Sequence, residues 1–200
     1  SVTALVTSCK DGAKQVNNPL MQKFETPFQT PPFDKIKPAD YKPAFEEGMK
    51  QHKAEIEAIV NNPEEPTFEN TIVALDNSGE ILARVSGVFF ALTEADTNDE
   101  LMALEGKIAP MLSEHSDNIF LNQDLYKRVA AVHAQEEAGK ITLTTEQHYL
   151  LDKYYKEFIR SGAGLDAQKQ ERLREINKQL STLTIEFGLS LIHISEPTRP

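Results

Sequence analysis

The spacing of apolar residues between Pro66 and Phe89 constrains the fold of this chain more than any other feature. The apolar side chains there follow one another at intervals of four, three, seven and seven residues, and they are Phe68, Ile72, Leu75, Leu82 and Phe89. Such intervals place them on one face of an α-helix. Gly79 and Ser86 share that face, where small residues let a partner helix approach closely. The pattern predicts one long, buried helix.

A second apolar stripe predicts a helix upstream. This helix begins near Ala39 or Pro43 and ends at about Val60, because the Asn-Asn-Pro run at 61–63 stops it. Its stripe consists of Phe45, Met49, His52, Ile56 and Ile59. A lone histidine on such a stripe more often lies at the edge of a core than binds a ligand. No second ligand stands at helical spacing from His52.

Capping signals predict the helices that follow. Thr97 and Glu100 have the form of a capping box, and Pro110 is expected to kink or end the helix behind them, so that 113–122 is a connection. Gly139 and Gly162 are expected to close later helices. The caps of those helices are predicted to be Asn122, the Thr144 and Gln147 pair, and Asp166. The fold class is therefore all-α, with antiparallel helices.

The last two helices carry patterns that allow more than one interpretation. Aromatic residues crowd the helix around 150–159, where core packing is favoured over a ligand platform because the spacing is helical and no cationic cluster shares the face. In the last helix a heptad pattern suits an antiparallel hairpin, or a coiled-coil dimer. It is formed by Leu173, Ile176, Leu180, Leu183 and Phe187. Without a partner helix this stripe would be partly exposed, and the isolated chain is predicted to be poorly soluble or to self-associate.

Composition limits the possible functions. The 200 residues include 40% hydrophobic residues, enough to bury a core, and 31 acidic against 21 basic residues, for a net charge of −10. This charge argues against nucleic-acid binding, because such binding needs clustered Lys and Arg. No apolar run approaches the roughly 20 residues that a membrane-spanning helix needs.

Residues 1–17 are expected to lie outside the fold. The run Val6-Thr7-Ser8-Cys9 is similar to a bacterial lipobox, in which a signal peptidase cuts before a cysteine that carries lipid, and a polar tether follows it. Cys9 is thus the candidate lipidation site, and the chain is predicted to be anchored in the bacterial cell envelope, in the periplasm or at the outer membrane. The alternative is a free thiol in a disordered N-terminus.

The segment 18–38 is rich in proline, which disfavours helix. It is expected to lie extended across a helical surface, anchored by Phe24, Phe28 and Phe33. A proline-rich ligand for a recognition domain is a weaker alternative, because the prolines do not repeat regularly.

Residues 18–188 resemble the N-terminal helical region of the thimet-oligopeptidase-like zinc peptidases. The resemblance is carried by PTFENTIVALDNSGEILARVSGVFFAL, then TNDEL, then IAPMLSEHSDNIFLNQDLYKRV. The peptidyl-dipeptidase branch is the nearer and the oligopeptidase A branch the second. This resemblance implies a longer, two-lobed, mostly helical enzyme that hydrolyses short peptides in a deep channel, with 18–188 as one wall. It also implies a zinc ion and, for the nearer branch, release of C-terminal dipeptides.

No catalytic, cofactor-binding or metal-binding residue can be assigned in this sequence. Peptidases of this kind need a His-Glu-x-x-His helix, in which two histidines hold zinc and the glutamate activates water. None of the five histidines, His52, His115, His133, His148 and His193, begins that motif. Zinc is therefore expected only in the full-length enzyme, and the 200 residues alone are expected to be inactive. The sequence does not separate dipeptide release from endo-acting cleavage.

Residues 189–200 are predicted to be foreign to the protein. The stretch LSLIHISEPTRP breaks the preceding heptad and departs from the resembled family. A DNA string that encodes 189–199 resembles the transposon-end adapter used to prepare sequencing libraries. His193 therefore enters no functional argument.

A second hypothesis treats the chain as a non-enzymatic helical lipoprotein. Its helices would then form a peptide-binding or scaffolding module, and the absence of a zinc motif would be meaningful. The colinear resemblance over 18–188 favours the peptidase hypothesis.

Overall fold

The computed structural model describes residues 18–95 and 98–195, with side chains as far as residue 188. The described part forms helices and no strand, which confirms the all-α class. The helices are α1 Pro38–Val60, α2 Ala74–Asp76, α3 Glu80–Ala95, α4 Asp99–Phe120, α5 Gln123–Glu137, α6 Thr145–Arg160 and α7 Ala167–Ser195. A π-helical turn, Phe68–Val73, precedes α2, and short 3-10 helices span Pro19–Met21 and Pro27–Gln29. Cys9 and the rest of 1–17 lie outside the described residues, as do 196–200.

The predicted bounds of α1 are confirmed. The helix begins at Pro38, whose missing N–H would have no partner in the first turn, and the Asp40 carboxylate accepts a hydrogen bond from the Lys37 backbone N–H at 2.8 Å. It ends at Val60, before Asn61. Among the described residues, no helix has the length and apolar character required to cross a membrane.

The single long helix predicted across 66–89 is wrong. A turn at 77–79 separates α2 from α3, because Gly79 has a φ of +74° and the Ser78 hydroxyl donates to the Leu75 carbonyl at 2.6 Å. The five apolar residues of the stripe are all buried, as predicted. The interval of seven between Leu75 and Leu82 spans the turn, so the two halves of the stripe enter different cores.

These cores are the N-terminal core and the C-terminal core. The N-terminal core contains Leu20, Tyr41, Ala44, Phe45, Leu82, Val85, Val88, Phe89, Leu101 and Ile108. The C-terminal core contains Ile56, Ile59, Phe68, Ile72, Leu75, Ile119, Leu125, Val129, Val132, Leu151, Phe158 and Ala163. Within the described part of the chain, three stretches contribute to both cores: α1, the stretch from 68 to 95, and α4. The α3 backbone lies close to α1 at Gly48, where an added Cβ would lie 3.2 Å from the Leu82 Cα. The close approach at this point therefore depends on Gly48.

The predicted course of α4 needs two corrections. Its cap is Asn98, whose side chain accepts from the Leu101 N–H at 3.0 Å, while Thr97 lies outside the described residues. The helix also continues through Pro110 to Phe120, so 113–122 is mostly helical. Proline costs α4 one backbone hydrogen bond. Buried contacts on both sides of it, from Ile108 in one core and Ile119 in the other, stabilise the continuous helix.

The remaining capping predictions are confirmed. Asn122 accepts from two backbone N–H groups at the start of α5, and the Thr144 and Gln147 box begins α6. Asp166 accepts from the Lys169 N–H at 2.9 Å at the start of α7. The aromatic helix α6 packs into the C-terminal core through Leu151 and Phe158, as expected, although Ile159 is 49% exposed.

The proline-rich segment is held on the N-terminal core by Leu20, which was not a predicted anchor, and in part by Phe24, which was. Leu20 is fully buried in the N-terminal core, and the Asn18 side chain donates to the Asp40 carbonyl at 2.7 Å. Phe24 packs partly against this core. Phe28 is fully exposed, however, and Phe33 is 51% exposed, so the prediction that both act as anchors is wrong.

Helix α7 packs on α4 through polar side chains and leaves its apolar stripe outside. Asn177 donates to the Asp117 carboxylate at 2.7 Å, and Arg174 donates to the Asn118 amide oxygen at 3.0 Å. The exposed fractions along the stripe are 36% for Ile176, 53% for Leu180, 56% for Leu183 and 65% for Phe187. The expected exposure of this stripe is confirmed.

We expect the 200-residue chain to self-associate through this stripe. Replacing both leucines, Leu180→Glu with Leu183→Glu, should shift the chain toward monomer, because charged side chains are costly to bury between helices. Sedimentation velocity at several concentrations measures this: the mass of the unmodified chain should rise above 22.4 kDa, while that of the variant should not.

The matched control, Gln168→Glu with Thr182→Glu, adds the same charge to α7 outside the stripe. It should associate like the unmodified chain. Equal loss of association in both variants would show that charge, not the apolar stripe, governs it.

Candidate functional site

Two histidines from distant parts of the chain meet between the two cores. His52 lies on α1 and His115 lies on α4, and His115 Nε2 is 3.0 Å from His52 Nδ1. The other nitrogen of His52, Nε2, lies 3.1 Å from the Ser78 hydroxyl. These three side chains link α1, the 77–79 turn and α4, and we call them the histidine junction.

The hydrogen-bond partners assign the protons of the junction. The Ser78 hydroxyl donates to the Leu75 carbonyl, so it accepts from His52 Nε2–H. His52 Nδ1 is then the acceptor and His115 Nε2–H the donor. Both imidazoles are neutral in this arrangement, and each of the three bonds has one donor and one acceptor.

A carboxylate completes the polar layer. Glu55, one turn after His52 on α1, accepts from the Gly79 backbone N–H at 2.7 Å. Gly79 is the residue before α3, so the negative charge lies at the positive end of that helix dipole. The layer thus fixes the point at which the chain leaves the C-terminal core and enters the N-terminal core.

Burial shifts the titration of both imidazoles. Desolvation lowers the pKa of His52, and the nearby Glu55 carboxylate opposes that effect. Desolvation, reinforced by the charge of His52, lowers the pKa of His115 from 6.5 to about 4. The neutral forms are therefore favoured near pH 7, in agreement with the proton assignment.

A polar cleft lies between α4 and α7. It is lined by Glu114, Asp117, Asn118, Glu171, Arg174, Glu175 and Lys178. Burial raises the pKa of Asp117, while the hydrogen bond from Asn177 opposes that rise. Asp117 and Asn118 already bind side chains of α7, so the cleft is a helix-packing seam.

The described residues do not form a zinc site. They contain no group of three His, Cys, Asp or Glu side chains placed to hold a metal ion. His52 and His115 bind each other, His133 stacks on Tyr155 with 3.9 Å between ring centroids, and His148 Nδ1 lies 2.8 Å from a Glu136 oxygen. His193 and Cys9 lie where no side chain is described.

Sequence reasoning placed His52 correctly at the edge of a core but missed its partner. His115 is 63 residues away, on a segment that was predicted to be a connection. No sequence motif pointed to Gly79, Ser78 or Glu55 as members of the layer. The signal that could have found the layer is the Asn-Ser-Gly run at 77–79, a turn sequence inside an otherwise helical pattern.

The turn at Gly79 should be sensitive to substitution because it contacts His52. In Gly79→Ala the new Cβ would lie 2.9 Å from His52 Nδ1, at a φ that side chains disfavour. We expect a loss of roughly 2–3 kcal/mol in the free energy of unfolding. Urea denaturation followed by circular dichroism measures it.

Gly139→Ala is the matched control. Gly139 has a φ of +67° but no atom within 4 Å of an added Cβ, so only backbone strain is introduced, which costs about 1 kcal/mol. Equal losses in both variants would contradict the packing of the turn on His52.

Comparison with known proteins shows that most of the chain is similar in sequence to part of several peptidases. It is 42% identical over 179 residues to the dipeptidyl carboxypeptidase of Salmonella typhimurium, a match that covers 90% of this chain and 26% of that protein. It is 41% identical to the dipeptidyl carboxypeptidase of Escherichia coli, over 88% of this chain and 25% of that protein. Oligopeptidase A of Escherichia coli is 29% identical, with the same coverage. No model of a known protein family matches the chain.

These matches confirm the resemblance seen in the sequence. The chain is homologous to dipeptidyl carboxypeptidases and oligopeptidases over about 90% of its residues, and it spans about a quarter of their length.

Proposed function

We propose that this peptidase homologue is the N-terminal helical part of a longer zinc-dependent enzyme that releases dipeptides from the C-terminal ends of short peptides. The observation that carries the proposal is the higher identity to dipeptidyl carboxypeptidases, 41–42%, than to oligopeptidase A, 28–29%. In this proposal the described helices form one wall of the channel that admits the peptide.

The zinc ion would be held by residues outside the given sequence. The described residues do not fit a metal ion, so no step of the reaction is assigned to them. When bound, zinc in such an enzyme supplies an activated water for attack on the peptide carbonyl. The contribution of this chain would be to shape the channel and to exclude folded proteins from it.

The test begins with the uninterrupted gene, sequenced from a library made without transposon adapters. The encoded full-length protein should release a dipeptide from a short peptide with a free C-terminal carboxylate, detected by mass spectrometry. Chelation should abolish the release and added zinc should restore it. The 200-residue chain alone should be inactive.

The same peptide with an amidated C-terminus is the substrate control. An enzyme that recognises the terminal carboxylate should leave the amidated peptide intact, whereas an endo-acting oligopeptidase should cleave it. A reading frame that ends after Pro200, with no His-Glu-x-x-His segment, would overturn the proposal and favour a non-enzymatic binding module.

We also propose that Cys9 carries lipid in the cell. The lipobox-like run before it and the polar residues after it support this. Expressed in bacteria with its natural upstream sequence, the protein should incorporate labelled palmitate and sediment with membranes. Cys9→Ser should do neither, while Ser8→Ala, which keeps the cysteine, should do both. Unchanged labelling in Cys9→Ser would exclude Cys9 as the site.

A further inference from the structure

We propose that the histidine junction is a proton-operated coupling between the two cores, closed while at least one imidazole is neutral and opened when both are protonated. The junction is formed entirely by described residues and does not depend on the proposed peptidase activity.

The junction couples the two cores because of its position. Each of the three stretches that connect the cores passes through it: α1 at His52, the 68–95 stretch at Ser78, and α4 at His115. On one side lie the residues of the N-terminal core, and on the other side those of the C-terminal core. Loss of the contact between the two imidazoles therefore removes the polar link between α1 and α4 at the boundary, while each apolar cluster and the Glu55 bond to the Gly79 N–H remain intact.

Counting protons shows why the second protonation is decisive. With both rings neutral, one hydrogen lies between His115 Nε2 and His52 Nδ1, which are 3.0 Å apart. One added proton can be accommodated, because a charged His52 donates from Nδ1 to His115 in its other tautomer. After a second protonation both facing nitrogens carry hydrogen, and neither can accept. The contact then becomes repulsive and breaks.

Surrounding charges favour the first proton and not the second. On α1, Glu55 attracts charge on His52. Two acidic groups of the neighbouring elements have other partners: Asp76 of α2 accepts from the Tyr154 hydroxyl, and Glu80 of α3 pairs with Lys23 and Arg84. Glu114 of α4 lines the cleft toward α7. The charge that acts on His115 is that of His52 itself, and it opposes protonation.

The direction of the pH effect follows from linkage. In the unfolded chain His115 titrates at about 6.5, and in the folded chain at about 4, so between these values the unfolded state binds more protons. The contribution of His115 to the free energy of unfolding is therefore fully present above pH 6.5 and is lost as the pH falls toward 4. Because the two rings interact, the loss follows two coupled steps.

His115→Gln is the informative variant. The glutamine amide can donate to His52 Nδ1 as His115 Nε2 does, but it cannot be protonated. Between pH 6.5 and 4, the unfolding equilibrium constant of the unmodified chain should rise about tenfold more than that of the variant, a figure reduced for the partial exposure of the ring. Hydrogen exchange of the α4 amides around His115 should accelerate at pH 4 in the unmodified chain only.

His148→Gln is the control, because His148 faces Glu136 on the surface and not the junction. It should leave the faster exchange around His115 at pH 4 unchanged, because His148 makes no contact with the junction. Identical pH dependence in His115→Gln and the unmodified chain would overturn the proposal. If the variant fails to fold, imidazole NMR of the unmodified chain decides: two rings that titrate independently near 6.5 exclude the coupling, and a coupled, lowered pair supports it.

Discussion

The described fold depends on one requirement: a single helix, α1, must serve two apolar clusters and satisfy a polar layer between them. Its N-terminal half buries Tyr41 and Phe45 in one core, and its C-terminal half buries Ile56 and Ile59 in the other. Polar groups at such a boundary are costly unless each finds a partner. The layer meets this requirement, since the imidazoles, the Ser78 hydroxyl and the Gly79 N–H are all hydrogen-bonded. The turn at 77–79 lies at the boundary between the two cores, where these hydrogen-bond partners are available.

Local signals in the sequence predicted most of the helices, because caps act within a few residues of the chain. Asn122, Thr144 and Asp166 cap the helices that they were expected to cap. The π-helical turn and the break at Gly79 were missed, since an interval of seven residues fits two full turns of one helix as well as two segments joined by a turn. His115 was missed as a partner because its contact with His52 depends on the folded course of α4. That course continues through Pro110 only because both cores hold it.

Helix α7 differs from the others in where its apolar residues point. Elsewhere the apolar stripe faces a core, whereas in α7 the polar pairs to Asp117 and Asn118 face α4 and Leu180, Leu183 and Phe187 face outward. An apolar heptad on the outside is stabilised only when another surface covers it. Under the proposed function, that surface would belong to the rest of a longer peptidase. The described helices would then form part of the channel wall. In that wall α7 would pack against α4 on one side and against the rest of the enzyme on the other.

The choice of histidine at the boundary has a physical reason. A leucine pair in place of His52 and His115 would leave the Ser78 hydroxyl without its donor, and a lysine and glutamate pair would place two charges in a half-buried site at a desolvation cost. Two neutral imidazoles provide a donor and an acceptor each, without charge, above the pH at which they titrate. The same chemistry limits the range over which the boundary holds, because only histidine, among uncharged partners, can acquire protons as the pH falls below 6.5. A boundary built from imidazoles is therefore stable near neutrality and weak in acid.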